Sequence, residues 1–314
     1  MSADTIVFES VSKFYGEVLG VNRIELSIEA GLTGLVGPNG SGKSTLMNLM
    51  TGLLMPDRGT IRILGIDPGD PETLFRTVGY CTQWDTFPPG ATGETFLVNT
   101  LLLHGESPGR AREKASSMLR KVGLEDAERR QIAAYSKGMK QRIKLAHSLC
   151  HDPRVLVLDE PLNGLDPTGR AEIIELFTAL AAEGRHVLVS SHILHEVDLI
   201  ADSVVMIHGG KVVAEGAIRE VREEIIDKPI QVLIRCDRAR DLAARVFALE
   251  HVVQARLLDG DFSVVVATRD SANFFLDLAR IVTDDQLTVE SVMPADENVR
   301  AVYDYLIGNE GVPT

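Results

Sequence analysis

Two kinds of apolar pattern alternate along the first two thirds of the chain. Residues 155–158 and 186–189 form short, mostly apolar runs, which are typical of strands buried on both faces of a parallel sheet. Longer stretches repeat their apolar residues at helical spacing, which marks one face of a helix as a core face. The pattern predicts an α/β domain with helices at 110–122, 138–150 and 168–182 and closing strands at 203–207 and 212–215.

The composition changes after about residue 216, where a charged helical stretch over residues 218–226 follows. Pro229 follows a charged helical stretch and predicts a boundary, with a first domain over residues 1–224 and a second over residues 225–314. The second domain has the order strand, helix, strand, strand, helix, strand, followed by a terminal helix at 297–306. This order predicts a small α+β domain of the split βαβ, or ferredoxin-like, type. Its strands are predicted at 230–236, 252–258, 262–267 and 287–292, and its helices at 238–249 and 271–282.

Composition and charge exclude several classes of protein. With 314 residues, 45% hydrophobic and 25% charged, the chain is long enough for two domains with a core each. A net charge of −13 without a Lys- and Arg-rich run argues against a nucleic-acid partner. Three widely spaced cysteines, Cys81, Cys150 and Cys236, favour a reducing compartment. Because neither a leader pattern nor a long apolar run is present, we expect the chain neither to be secreted nor to span a membrane.

A phosphate-binding motif lies between a predicted strand and a predicted helix. Residues 37–44 fit the pattern G-x-x-x-x-G-K-[S/T], in which the glycines let backbone N–H groups turn toward one anion and the following helix adds its positive dipole end. Lys43 is then placed for the β- and γ-phosphates, and the Ser44 hydroxyl for Mg²⁺. The residues predicted to surround the phosphates of ATP are Gly37, Pro38, Asn39, Gly40, Ser41, Gly42, Lys43, Ser44 and Thr45.

Two adjacent carboxylates follow the apolar run at 155–158. Asp159 is predicted to reach the metal, and Glu160 to lie where an attacking water is activated. A strand that simply ends in surface acids is an ordinary interpretation of this segment by itself. Together with the upstream phosphate loop, however, the pair predicts the second half of an ATP-hydrolysing site.

A third motif precedes the predicted helix at 138–150. It reads YSKGMKQR from residue 135 and offers a Ser hydroxyl and free N–H groups at a helix N-terminus, a second anion site far in sequence from the first. Taken alone, it is an ordinary helix cap. With the other motifs, the chain resembles the ATP-binding subunits of ABC transporters, whose signature loop reads LSGGQ followed by QR. The matching residues are Ser136, Gly138, Gln141 and Arg142, and the departures at Tyr135, Lys137 and Met139 resemble those of exporters of drugs, lipids or glycans.

The resemblance covers roughly residues 5 to 216 and implies further roles. Tyr15 matches the aromatic residue that stacks on adenine, and Gln83 matches the glutamine that contacts Mg²⁺ or water and senses the membrane partner. His192 matches the switch histidine that reaches the γ-phosphate and positions the water. Residues 163–166 resemble the loop that crosses between two ATPase subunits, although Leu162 stands where Thr is common.

In that family the signature loop clamps the γ-phosphate held by the other subunit. The resemblance therefore implies a homodimer, or a heterodimer with another ABC ATPase, and a P-loop NTPase core carrying a helical signature subdomain. It implies ATP hydrolysis with Mg²⁺ held by Ser44, Gln83 and Asp159. It also implies a separately encoded transmembrane permease as partner, at the cytoplasmic face of the membrane. Trp84 and Phe87 are expected either to pack in the core or to face that permease.

Two other classes of function stay open at this point. A soluble ABC ATPase that acts on ribosomes or DNA typically has two cassettes or long coiled-coil inserts, whereas this chain has one phosphate loop. A nucleotide-gated regulator without turnover would lack Glu160. The expected function is the ATP-driven motor subunit of a transporter, with export favoured by the signature residues and the C-terminal extension.

Overall fold

The chain divides into two compact units, residues 1–217 and 218–314. A computed structural model describes residues 4–191, 197, 200–217, 230–258 and 262–294. The predicted boundary at residues 224 and 225, the predicted helix at 297–306 and His192 lie outside these residues and stay predictions. None of the helices in the described part of the chain is long and apolar enough to cross a membrane.

The first unit contains two sheets, and its helices lie in the sequence between strands of these sheets. Its strands and α-helices, in chain order, are β1 (Ile6–Tyr15), β2 (Val18–Ile28), β3 (Gly31–Val36), α1 (Lys43–Met50), β4 (Arg58–Ile63), α2 (Pro71–Thr77), β5 (Val78–Cys81), α3 (Gly93–Leu103), α4 (Pro108–Lys121), α5 (Lys137–Leu149), β6 (Val155–Leu158), α6 (Pro167–Ala182), β7 (His186–Ser191), β8 (Ser203–His208) and β9 (Lys211–Ala217). The helices predicted at 110–122, 138–150 and 168–182 are α4, α5 and α6.

The larger sheet has the order β5-β6-β7-β3-β8-β9. Its first five strands run parallel, and β9 is antiparallel to β8. Every residue of β6 and β7 is buried, which confirms the strands predicted from apolar runs. Because parallel strands share one carboxyl edge, the segments that leave β3, β6 and β7 are brought together there.

The smaller sheet was not predicted from the sequence. It is antiparallel, with the order β2-β1-β4. The register of β1 on β2 shifts at Val11 and again near Lys13. Such irregularities break the two-residue alternation on which strand prediction depends. The last residue of β1 is Tyr15, one of the predicted site residues.

Helices α3, α4 and α5 pack around a core of their own. Fully buried members of this core are Leu97 and Leu101 of α3, Leu119 of α4 and Ile143 of α5. Since α5 begins directly after Ser136, this is the helical subdomain that carries the signature loop.

The second unit has the predicted strand and helix order over its described residues. Its elements are β10 (Ile230–Cys236), α7 (Ala239–Phe247), β11 (Val252–Leu257), β12 (Ser263–Thr268), α8 (Ser271–Asp284) and β13 (Val289–Pro294). The sheet is antiparallel with the order β11-β12-β10-β13, which is the split βαβ arrangement. Val232, Ile234 and Phe274 are among the buried residues of its core.

Candidate functional site

The phosphate loop connects β3 to α1 at the carboxyl edge of the larger sheet. Gly40 and Gly42 have φ angles of 78° and 114°, which L-amino acids with a side chain rarely adopt. At Gly37 the restriction is space, because a Cβ there would lie 2.3 Å from the main-chain oxygen of Ile207. The sequence pattern of this loop is therefore required by its backbone geometry.

Lys43 is held inside the loop. Its side chain is largely buried, and its Nζ donates to the main-chain oxygens of Gly37 at 2.5 Å and Pro38 at 3.0 Å. Burial lowers the pKa of Lys43, while the nearby carboxylates of Glu160 and Asp159 act in the opposite direction. These two acids and Lys43 thus belong to one electrostatic site, as the motifs predicted.

Two features of the loop fit a phosphate group. The Oγ of Ser41 is buried and has no hydrogen-bond partner among the described residues. Helix α1 begins without a side-chain cap at Gly42, so its first N–H groups are left for an anion. The far side of the loop is supported by Gly210, whose N–H donates to the main-chain oxygen of Ser41 at 2.8 Å.

Ser44 and Asp159 bring two oxygens from different elements together. Ser44 Oγ lies 3.5 Å from Asp159 Oδ2, and Asp159 is buried at the end of β6. Hydroxyl and carboxylate oxygens are the ligands that Mg²⁺ prefers. This donor pair therefore fits the magnesium site expected from the motifs.

Glu160 leaves the strand with an unusual backbone. Its φ angle is 50°, in the left-handed region that residues other than glycine seldom occupy. Its N–H donates to Ser190 Oγ at 2.8 Å, and its Oε2 accepts from Asn163 Nδ2 at 3.1 Å. Backbone strain of this kind is concentrated at functional sites, which agrees with the role predicted for Glu160.

Tyr15 lies beside the start of α1. Its hydroxyl is 3.3 Å from Thr45 Oγ1, and 46% of the residue is exposed. The Tyr15 ring is therefore placed to stack on the base of a nucleotide whose phosphates bind to the adjacent phosphate loop. The structure thus brings Tyr15 and Thr45 together with the loop residues.

Gln83 is exposed in the segment after β5. Its main-chain oxygen accepts from Lys144 Nζ at 3.2 Å, and the same ammonium pairs with Asp85 at 2.9 Å. Within the described chain, no hydrogen bond joins the Gln83 side chain to Ser44 or Asp159. Lys144 on α5 therefore links this segment to the helix that follows the signature loop.

The two aromatic residues after Gln83 differ in their surroundings. Trp84 is 75% exposed. Phe87 packs against the core of the helical subdomain and meets Phe96 edge to face, with ring centroids 5.7 Å apart. Phe87 therefore packs in a core, which is one of the two expected alternatives, whereas Trp84 lies on the surface.

The signature loop lies against the loop that follows Glu160. Ser136 caps α5, because its Oγ accepts from the N–H of Met139 at 3.2 Å. A Cβ on Gly138 would lie 3.2 Å from the main-chain oxygen of Gly164, so a larger residue would press on that loop. No hydrogen bond in the described part of the chain joins Ser136 to the phosphate loop.

Sequence reasoning missed three residues of this region. Ser190 is a buried polar residue in an apolar strand, and Lys144 is a buried charged residue on a helix that faces a core. A polar residue within an apolar pattern was the signal in the sequence that could have identified each of them. Gly210 was predicted only as part of a turn. His192 lies outside the described residues.

Comparison with known proteins agrees with this geometry. Residues 21–163 match the family described as ABC transporter. The chain is 36% identical over 240 residues to the daunorubicin/doxorubicin resistance ATP-binding protein DrrA of Streptomyces peucetius, covering 76% of this chain and 73% of the relative. It is 32% identical over 308 residues to the bacitracin transport ATP-binding protein BcrA of Enterococcus faecalis, covering 97% and 96%. A bacterial ABC transporter cassette solved as a dimer superimposes with a TM-score of 0.64 at 26% identity, covering 68% of this chain and 99% of that structure.

Proposed function

Because the chain belongs to the ABC transporter family of ATP-binding subunits, we propose that it is the motor subunit of an exporter and drives a separately encoded transmembrane permease. It binds and hydrolyses ATP. The observation that carries the ATPase part of the proposal is the electrostatic coupling of Lys43 to Asp159 and Glu160 at one edge of the larger sheet. Export is supported by the name of DrrA, a drug-resistance protein, since a transporter confers resistance by moving a drug outward. A role in transport is supported by the match to BcrA, which extends over both units.

In this proposal the phosphate loop binds and orients ATP. The backbone from Gly37 to Lys43 surrounds the phosphates, and Lys43 exchanges its main-chain oxygen partners for phosphate oxygens. Tyr15 stacks on adenine beside Thr45. Such preorganised donors stabilise the charge that develops in phosphoryl transfer.

The magnesium ligands in this proposal are Ser44 and Asp159, with Gln83 joining them. When bound, Mg²⁺ neutralises charge on the β- and γ-phosphate oxygens. The Ser44 and Asp159 oxygens are already close. The Gln83 side chain would reach the metal from the segment after β5, where the main-chain oxygen of Gln83 accepts from Lys144. Gln83 thereby connects the site to the surface around Trp84, where we place the permease at the cytoplasmic face of the membrane.

Glu160 is the proposed general base. Its carboxylate polarises the attacking water, and Asn163 Nδ2 holds one of its oxygens at 3.1 Å. A positioned base of this kind contributes roughly 10²- to 10⁴-fold to a rate. His192 is proposed as the residue that orients the water against the γ-phosphate.

A second ATPase subunit completes each site in this proposal. Ser136 and Gly138 lie at the N-terminus of α5, a place suited to an anion held by another chain. The dimeric cassette of similar fold supports such pairing. The partner is a second copy of this chain or a related ABC ATPase.

The variant Glu160→Gln tests the catalytic assignment. ATP binding should persist, because Lys43 and the phosphate loop are unchanged, while steady-state hydrolysis should fall by ~10²-fold or more. Size-exclusion chromatography with ATP should show a stabilised dimer. Glu175→Gln, an exposed change on α6, is the matched control, and undiminished turnover in Glu160→Gln would remove Glu160 from the mechanism.

Membrane recruitment tests the transport assignment. The chain should sediment with membranes only when its proposed permease is coexpressed. Equal sedimentation with and without that permease would contradict the proposed partner while leaving the ATPase assignment intact.

A further inference from the structure

Ser190 is a buried hydroxyl in the centre of the larger sheet. It lies in β7 between β3 and β6, pairs with Leu35 of β3, and is 1% exposed. The preceding residues Val187, Leu188 and Val189 are apolar and buried. A hydroxyl in such surroundings is unfavourable unless its hydrogen bonds are made.

The hydroxyl contacts both consecutive acids. Ser190 Oγ donates to Asp159 Oδ1 at 2.7 Å and accepts the N–H of Glu160 at 2.8 Å. A serine hydroxyl can donate one hydrogen bond, and Asp159 Oδ1 is its acceptor here. One side chain from β7 therefore connects the carboxylate of Asp159 with the backbone of Glu160.

This connection fixes the direction of the Asp159 carboxylate. With Oδ1 held by Ser190, the other oxygen, Oδ2, is the one that faces Ser44 Oγ at 3.5 Å. The N–H of Asp159 is held independently by the main-chain oxygen of Cys81 at 2.9 Å. Both ends of the residue are thus restrained, and among the described residues the Ser190 bond is the one that orients the carboxylate with its other oxygen toward Ser44.

The same hydroxyl holds Glu160 in its left-handed conformation. The backbone leaves the path of β6 at Glu160, whose φ angle is 50°, and the N–H at this point donates to a side chain rather than to a neighbouring strand. That conformation determines where the Glu160 side chain begins. Loss of the Ser190 hydroxyl would remove this partner from the buried edge of the sheet.

We propose that Ser190 is a positioning residue for ATP hydrolysis: its hydroxyl orients Asp159 toward the metal and holds the backbone of Glu160 in place for the attacking water. The inference rests on the proposed roles of Asp159 and Glu160. Ser190 acts through these two residues and does not itself touch the nucleotide. Outer partners of metal ligands typically change metal affinity or activity by ~10- to 100-fold when they are removed.

The test compares Ser190→Ala with Ser148→Ala in the full chain. Ser148 is equally buried, but its hydroxyl donates within α5, to Leu145 O at 2.9 Å. Binding of Mn²⁺ in the presence of ADP, followed by electron paramagnetic resonance, reports on the metal site without turnover. Ser190→Ala should bind Mn²⁺ ~10-fold or more weakly and lose kcat to a similar degree, with KM for ATP little changed. Ser148→Ala should match the wild type.

Two further variants keep the test decisive if Ser190→Ala does not fold. Ser190→Thr keeps a strong donor and suits a strand, whereas Ser190→Cys replaces it with a weak donor of similar size. Thr should retain Mn²⁺ affinity and Cys should lose it. Equal affinity in these two variants, or a folded Ser190→Ala with wild-type affinity and kcat, would overturn the inference. Wild-type turnover in Glu160→Gln would instead overturn the proposed function, so the two failures are distinguishable.

Discussion

The two units of the chain bury different kinds of side chain. The first buries Lys43, Asp159, Ser41 and Ser190 near one edge of its larger sheet, whereas Thr268 is the one buried polar side chain in the described part of the second unit. Thr268 donates within the same unit, to the main-chain oxygen of His251 at 3.0 Å. Because burying a polar group costs free energy, the buried polar side chains at this edge of the first unit indicate a functional site. The buried side chains described in the second unit are those of an ordinary apolar core.

The sharpest test of this difference is Lys43→Ala. Removal of the buried ammonium from the phosphate loop should reduce hydrolysis by ~10²-fold or more, as for other preorganised charge-stabilising groups, and should weaken ATP binding. Lys121→Ala removes the same charge from the exposed end of α4 and should leave kcat within about twofold of wild type, in line with the small effects of most surface substitutions. A Lys43→Ala protein with normal kcat/KM would place the site elsewhere.

Phe274→Ala should have a large effect on the second unit and none on nucleotide binding. Phe274 is fully buried, and its neighbour Phe275 is 48% exposed, so Phe275→Ala is a matched control. Truncation of a buried Phe costs about 3–5 kcal/mol. Hydrogen exchange should show lost protection in β10 and β12 with β6 unaffected. A loss of ATP affinity in Phe274→Ala would show that the units are not functionally separable in the way their cores suggest.

Lys144→Met tests the link between α5 and the Gln83 segment. The variant keeps the apolar length of the side chain and removes the donor to Gln83 O and Asp85. A hydrogen bond from a charged group is worth roughly 1.5–3 kcal/mol, so exchange of amides after β5 should rise by about one order of magnitude or more. Lys140→Met, one turn earlier on α5, is the control, and equal exchange in both variants would contradict the link.

Acid sensitivity should arise in the first unit through His151. Burial, with a further contribution from His104, lowers the pKa of His151 to about 4 from its ordinary 6.5. The unfolded chain therefore binds this proton first, and the stabilisation present above pH 6.5 is lost as the pH falls toward 4. The slope is at most about 1.4 kcal/mol per pH unit.

His151→Gln keeps a donor for Val78 O, which His151 Nε2 contacts at 3.2 Å. Urea denaturation at pH 7 and at pH 5 should show a smaller acid-induced loss of stability in this variant than in the wild type. An identical loss in both proteins would assign the acid sensitivity to other groups.

The two units also differ in why their structure was predictable. Val155–Leu158 and Ile230–Cys236 were predicted with their observed bounds. The first is an unbroken apolar run of strand length, and the second has its two polar residues, Gln231 and Arg235, on one face. The strands Ile6–Tyr15 and Val18–Ile28 were missed. Their register shifts obscure the alternation of apolar and polar residues. These strands therefore depend on their pairing with each other more than on their local sequence pattern.

The same contrast holds within the site. Residues 37–45, Asp159 and Glu160 were found because their chemistry is carried by contiguous motifs. Ser190 and Lys144 act on residues 30 and 61 positions away, and a contact of that kind depends on strand order and helix placement. The positions of Tyr15 beside Thr45 and of Gly138 beside Gly164 agree with their predicted involvement, while their roles toward nucleotide stay predictions.

In the proposed mechanism the first unit supplies two half-sites, which two ATPase subunits must combine. The direct measurement is the ATPase activity of a mixture of Lys43→Ala and Ser136→Arg proteins, each inactive alone. A mixed dimer has one site with both defects and one site with neither, so part of the activity should return as mixed dimers form. A mixture that stays as inactive as either variant, although mixed dimers are confirmed by mass spectrometry, would contradict the shared site.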